Sequence, residues 1–213
     1  MKGNRGFTIV ELMIVITIVA VGITLAVPSF NDLIERKAVG GAAEAAYEQL
    51  QIARSQAVKR SKPILVDFYL SGTNWAIGLT DKITGCNAEE EDATDINACT
   101  VDYDNVADVS TDDDFLMRIQ GTDFKDITMS KASGFANSVT WTTINWSNGC
   151  KAATNATLHD ERTCFDFMRA LSRTGTFDFA SANYKLRLQV DQLGHVNICV
   201  NTGEKGVVGY DAC

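Results

Sequence analysis

The sequence predicts an α+β fold: one long N-terminal helix, transmembrane in its first half, followed by an antiparallel β domain tied by disulfides. Three observations predict it. Residues 7–27 form an almost unbroken apolar run of 21. After Pro63 the hydrophobic period changes from that of a helix to two. Six cysteines stand at 86, 99, 150, 164, 199 and 213, with no C-x-x-C among them. The length of 213 residues suits one ordinary domain with an appendage. With 46% hydrophobic and 22% charged residues, the chain is not a disordered one. Sixteen glycines and two prolines, among many Thr, Asn and Asp, favour loops and short strands over a bundle.

The first element is the apolar run. At about 1.5 Å per residue it reaches roughly 30 Å, the thickness of a bilayer core. The short basic stretch 1–6, with Lys2 and Arg5, holds that end in the cytoplasm and sends the rest outside. A secretory signal would have a shorter apolar part and a small-x-small cleavage site, which Leu25-Ala26-Val27-Pro28 matches poorly. A plain anchor would lack Glu11, since a carboxylate in a membrane helix costs about 2.5 kcal/mol or more and usually has a partner. Residues 28–61 continue the helix, with Pro28 placed to kink it. Val39, Ala43, Ala46, Leu50, Ala53 and Ala57 make one apolar stripe for a sheet to pack on.

Residues 62–213 read as a β-rich domain. Ile64, Val66, Phe68 and Leu70 alternate with Leu65, Asp67 and Tyr69, and a turn at 71–74 leads to Trp75, Ile77 and Leu79. Strand-like pieces recur at 115–120, 138–146 and 164–168. In the last hairpin Tyr184, Leu186, Leu188 and Val190 face one side, and a turn at 191–194 follows. Val196, Ile198 and Val200 then face the core, with His195, Asn197 and Cys199 outward. Between them lies an acidic insertion at about 86–126, thirteen carboxylates against Arg118 and Lys125, a net −11 in a chain of −8. It reads as a solvated loop. Cysteine spacings of 13, 14 and 14 group Cys86 with Cys99, Cys150 with Cys164 and Cys199 with Cys213. An even count suits disulfides in an oxidising compartment, and this pairing is one of fifteen open to six cysteines.

Gly6-Phe7-Thr8-Ile9-Val10-Glu11-Leu12-Met13 resembles the signature of type IV prepilins and type II secretion pseudopilins. The resemblance implies a leader, residues 1–6, removed by a prepilin peptidase between Gly6 and Phe7. It implies N-methylation of Phe7, and docking of the Glu11 carboxylate on a neighbouring subunit's terminal amine. It places the chain in a bacterial inner membrane, single-pass with a periplasmic domain, and then in a filament with other minor and major pilins or pseudopilins. Ala53-Arg54-Ser55-Gln56-Ala57-Val58-Lys59-Arg60, and residues 165–200 with a glycine-marked turn at Gly175, resemble the GspH/FimT group. That resemblance implies a pilin fold and a minor pilin that starts assembly near a pilus tip. The alternative is a minor pseudopilin of type II secretion.

Two further classes are weaker. Some of this group bind DNA through glycine–arginine–x–arginine in the last hairpin, where this chain has Gly194-His195-Val196-Asn197. Lys185 and Arg187, with Arg169 and Arg173 nearby in sequence, are the basic residues left for DNA contact. His159, Asp160 and Glu161, with Ser172 downstream, match no catalytic pattern, so no enzyme and no cofactor is expected. Asp102, Asp104, Asn105 and Asp112-Asp113-Asp114 offer oxygen ligands without an EF-hand's glycine or final glutamate, so no metal site is expected. Trp75, Trp141 and Trp146 serve either packing or a surface for partners.

Overall fold

The computed structural model describes residues 8–82, 85–101, 115–133, 161–167, 174–191 and 193–213. The side chains of residues 25–29, 115, 133 and 161 fall outside that description. Helix α1 is Ile9–Arg60, and the chain divides within it into a unit ending at Lys37 and one beginning at Ala38.

From Ile9 to Thr24 the helix is apolar on nearly every side, Glu11 and the threonines excepted. Ile9, Val10, Leu12, Met13, Ile16 and Ile18 are all more than half exposed. A helix apolar all round gains nothing in water and needs an apolar surrounding from outside its own chain. Its hydroxyls are already satisfied: Thr17 donates to the Met13 carbonyl at 2.6 Å and Thr24 to that of Val21 at 2.8 Å. That arrangement suits a medium without water. Among the described residues no helical stretch is long and apolar enough to cross a membrane. The expected span 7–27 reaches past the described side chains at both ends. The helical backbone continues through Pro28.

In the second unit the helix is one-sided. Val39, Ala42, Ala43, Ala46, Leu50, Ala53 and Ala57 are fully buried. The small alanines let strands come close, as their spacing predicted. The helix ends at Arg60, and Ser61 takes φ 54, the left-handed position that commonly closes a helix. The strands are β1 Ile64–Tyr69, β2 Ala76–Thr80, β3 Thr100–Val101, β4 Phe115–Leu116, β5 Arg118–Gln120, β6 Thr128–Ser133, β7 Glu161–Phe165, β8 Gly175–Ala180, β9 Lys185–Val190 and β10 Val196–Cys199. They form antiparallel sheets in the orders β5-β2-β1-β7 and β10-β9-β8-β6, with β3-β4 as a small third.

The helix and the two larger sheets share one core. Phe68 stacks on Phe177 at 4.4 Å between ring centres, joining β1 to β8. Trp75 lies between Phe124 and Phe179 and donates its indole N–H to the Ile127 carbonyl at 3.0 Å. Trp75 is therefore a core residue; Trp141 and Trp146 lie outside the described residues.

The structure corrects several sequence expectations. β1 and β2 are buried on both faces, Leu65, Asp67, Ala76 and Thr80 included. The cause is the insertion, which is not simply a solvated loop: Cys86, Ala88, Ala98 and Cys99 are buried and cover the outer face of β1 and β2. Cys199, expected outward, is 1% exposed because its bond to Cys213 lays the C-terminal segment over it. The 115–120 piece breaks at Met117, β4 pairing with β3 and β5 with β2. The 164–168 piece begins earlier, at Glu161. Gly175 opens a strand rather than a turn. The 138–146 piece lies outside the described residues.

Candidate functional site

The first candidate is the start of α1. Thr8 caps the helix: its Oγ1 accepts the Glu11 amide N–H at 3.2 Å, and its carbonyl accepts that of Leu12 at 3.1 Å. Thr8-Ile9-Val10-Glu11 is a Thr-x-x-Glu capping pattern, a signal the sequence reading left unused. Glu11 therefore sits in the first turn, where the helix dipole favours a negative charge. It is exposed among Val10, Leu12 and Met13. The geometry presents one exposed carboxylate, on a capped first turn, among apolar side chains. Gly6 and Phe7 lie outside the described residues.

The second candidate is the outer face of β8 and β9. Lys185 and Arg187 do lie side by side there, but around a carboxylate. Arg187 donates to both oxygens of Asp178, at 2.7 and 3.0 Å, and Lys185 reaches Asp178 at 3.0 Å and Glu204 at 3.6 Å. Burial alone would raise the Asp178 carboxyl; the hydrogen bonds from Arg187 and Lys185 outweigh it and hold the group below its ordinary range. The two cations and two carboxylates cancel, which leaves little pull on phosphates. In the following turn His195 is exposed, its ring 3.1 Å from Asp191 Oδ2 and its amide donating to Asp191 Oδ1 at 2.8 Å. A carboxylate thus also stands against the turn residue that follows Gly194. Arg169 and Arg173 lie outside the described residues.

The third is the insertion. The Cys86–Cys99 disulfide has its Cα atoms 4.9 Å apart and rests on Gly78 of β2, where any Cβ would overlap the Cys99 sulfur. Beneath it, Asp67 is fully buried in the middle of β1. It accepts the Cys86 amide N–H at 2.8 Å and pairs with Arg162 of β7. Burial pushes the Asp67 carboxyl up to about 6, against the opposing pull of Arg162 and of the Cys86 amide. Gly85, at φ 84, gives the Arg162 guanidinium room. Lys82 donates to the Ile96 and Ala98 carbonyls, and Arg118 to that of Glu89. These ties hold the cover on the sheet. Asp67 and Arg162 were missed from the sequence, where the signal was one aspartate inside Ile64-Leu65-Val66-Asp67-Phe68.

Of the other cysteines, Cys199 bonds to Cys213 with Cα atoms 5.0 Å apart, and Cys164 is also disulfide-bonded. Cys150 lies outside the described residues. So do His159, Asp160 and Ser172, and the oxygen-rich positions 102–105 and 112–114. Among the described residues no group of three or more His, Cys, Asp or Glu is placed to hold a metal.

Comparisons with known proteins follow the same lines. The family described as prokaryotic N-terminal methylation motif matches residues 1–27, and the family described as type II transport protein GspH matches residues 42–194. The second match runs through the insertion rather than stopping at its edges. A fimbrial protein of Pseudomonas aeruginosa is 30% identical over 104 residues, which is 48% of this chain and 67% of the relative. The type IV minor pilin FimU of Pseudomonas aeruginosa superposes with a TM-score of 0.42 at 15% identity, over 78% of this chain and 91% of that one. The minor pseudopilin EpsH from the type 2 secretion system of Vibrio cholerae gives 0.42 at 9%, over 79% and 99%. The family assignment rests on the sequence matches.

Proposed function

We propose that this chain, which belongs to the type II transport protein GspH family and carries the prokaryotic N-terminal methylation motif, is a minor pilin that helps start a type IV pilus and sits at or near its tip. The family is one of structural pilin and pseudopilin subunits. On this reading residues 1–6 are the leader, cut between Gly6 and Phe7 by a prepilin peptidase, and Phe7 is then methylated. Residues 7–27 anchor the chain in the inner membrane, single-pass with a periplasmic domain.

The observation that carries the reading is Glu11. It is an exposed carboxylate in a capped first turn, on a helix whose residues 9–24 are otherwise almost wholly apolar. Such a charge is costly in lipid and gains a partner when a neighbour brings a terminal amine to it. Association with other pilins follows from the family; docking through Glu11 is the proposal. A second reading, a minor pseudopilin of type II secretion, is favoured by the description of the matched family. DNA capture is not favoured, because Lys185 and Arg187 are engaged by Asp178.

The test is a count of surface pili in a deletion strain with retraction disabled, complemented by the wild type or by Glu11→Ala. Few pili in the deletion strain, restored by the wild type and not by Glu11→Ala despite normal leader removal, is the expected result. Normal pilus numbers in the deletion strain would reject the priming role and shift the reading to secretion. Full rescue by Glu11→Ala would reject the docking role alone.

A further inference from the structure

The second unit carries two unmatched charged surfaces. One is a stripe on α1. Residues 51, 54, 55, 58 and 59 follow helical spacing of three and four, away from the buried alanines, and Lys62 follows just past the helix end. It holds Arg54, Lys59 and Lys62 and no acid, and none of these three cations has an ion-pair partner among the described residues. Val58, 55% exposed, lies in its middle, along an open groove of about 450 Å³. The other is the tip of the insertion. Five carboxylates stand at 89–92 and 95, and of these Glu91 meets Arg118 at 3.3 Å. Beside them Ile96 is 83% exposed.

These two surfaces belong to opposite sides of one sheet. The helix packs on the face of β1 and β2 that carries Ile64, Val66, Phe68, Ile77 and Leu79. The insertion packs on the face that carries Asp67, Ala76 and Gly78. A sheet therefore separates the acidic tip from the basic stripe within one chain. We propose that the basic stripe of one copy receives the acidic tip of a second copy, Ile96 entering the groove beside Val58 while Glu90, Asp92 and Asp95 meet Arg54, Lys59 and Lys62. The contact joins two different surfaces, so it leaves a free stripe and a free tip at the two ends, and it can repeat along a row of subunits. Nucleic acid is the competing occupant for a basic stripe, but the same acidic tip repels a polyanion. The inference does not depend on the priming role proposed above.

The test uses the full chain in detergent micelles, isotope-labelled and unlabelled copies mixed, with a photo-crosslinking residue at Val58. The expected product is a mixed-isotope cross-link from position 58 to the peptide containing Ile96. Its yield should fall about tenfold between low salt and a salt level where the Debye length is only a few ångströms. The triple variant Glu90→Lys, Asp92→Lys, Asp95→Lys should fall likewise, and recover when mixed with Arg54→Glu, Lys59→Glu, Lys62→Glu chains. Cross-links confined to single copies, cross-links to another peptide, or a yield indifferent to salt would overturn the proposal. So would cross-linking of position 58 to added DNA in place of the second copy. The salt series uses no charge variant, so it decides the matter even if the triple variants misfold.

Discussion

On the outer face of the first sheet Asp67 is fully buried and meets Arg162, itself 9% exposed, under the insertion. On the outer face of the second sheet Asp178 meets Arg187 and Lys185, whose side chains keep 20% and 29% of their exposure. Both are aspartate–arginine pairs across neighbouring antiparallel strands, β1 with β7 and β8 with β9. Their carboxyls nevertheless shift in opposite directions, Asp67 up and Asp178 down. The difference is the cover. Where the insertion excludes water, loss of hydration exceeds the attraction of one arginine; where the face is open, two cations reach the carboxylate and keep their own water.

The largest expected break of this contrast is Asp67→Ala. It strands a buried guanidinium, and should cost about 3–5 kcal/mol in urea unfolding at pH 7 with disulfides intact. Replacing both partners, Asp67→Leu with Arg162→Met, should return most of that loss. A cost of Asp67→Ala near zero would mean that water reaches Arg162 and that the cover does not seal.

A smaller effect sharpens the comparison through pH. The Asp67 carboxyl is raised from 3.8 to about 6 on folding, so the proton-linked part of its contribution is complete below 3.8 and is lost as pH rises through about 6, while its pairing with Arg162 persists at pH 7. The loss amounts to about 3 kcal/mol at full ionisation. Asp178 is lowered, so its contribution is present above the ordinary aspartate value and lost as pH falls through its own lowered one. The stability advantage of the wild type over Asp67→Asn should therefore shrink between pH 4 and 6. Parallel stability curves for the two proteins across that range would contradict the raised carboxyl.

The smallest effect is expected at the open face. Asp178 is itself buried, but Asp178→Asn leaves Arg187 and Lys185 within reach of solvent and should cost about 1–2 kcal/mol, less than a sealed pair. It also removes the charge that cancels the two cations. A fluorescence titration with short duplex DNA at low salt should then give tighter binding to the variant than to the wild type. Equal affinities would mean that Asp178 is not what silences this pair.

Sequence periodicity was most informative where one face of an element is buried. The stripe from Val39 to Ala57 and the alternation from Tyr184 to Val190 were readable because each has a wet side and a dry side. The same rule misread β1 and Cys199, since both are covered from the second side by segments that disulfides fold back over them. The Glu11 motif was legible because it is local, a run of eight residues ahead of an apolar stretch. The basic pair Lys185 and Arg187 was legible as a pair, but not its neutralisation by Asp178, because strand register across β8 and β9 decides which side chains meet.

By itself the sequence determined what depends on near neighbours in the chain. These are the helix and its apolar first half, the carboxylate near its start, the alternating strands and the family to which the chain belongs. Tertiary structure decided what depends on distant segments meeting. It turned an acidic stretch into the cover of a sheet, buried Asp67 against Arg162 95 residues away, and set the basic stripe and the acidic tip on opposite sides of one sheet. The physical reason is that burial and charge pairing are properties of three-dimensional neighbourhoods, and a residue's chemistry follows the water it keeps or loses there.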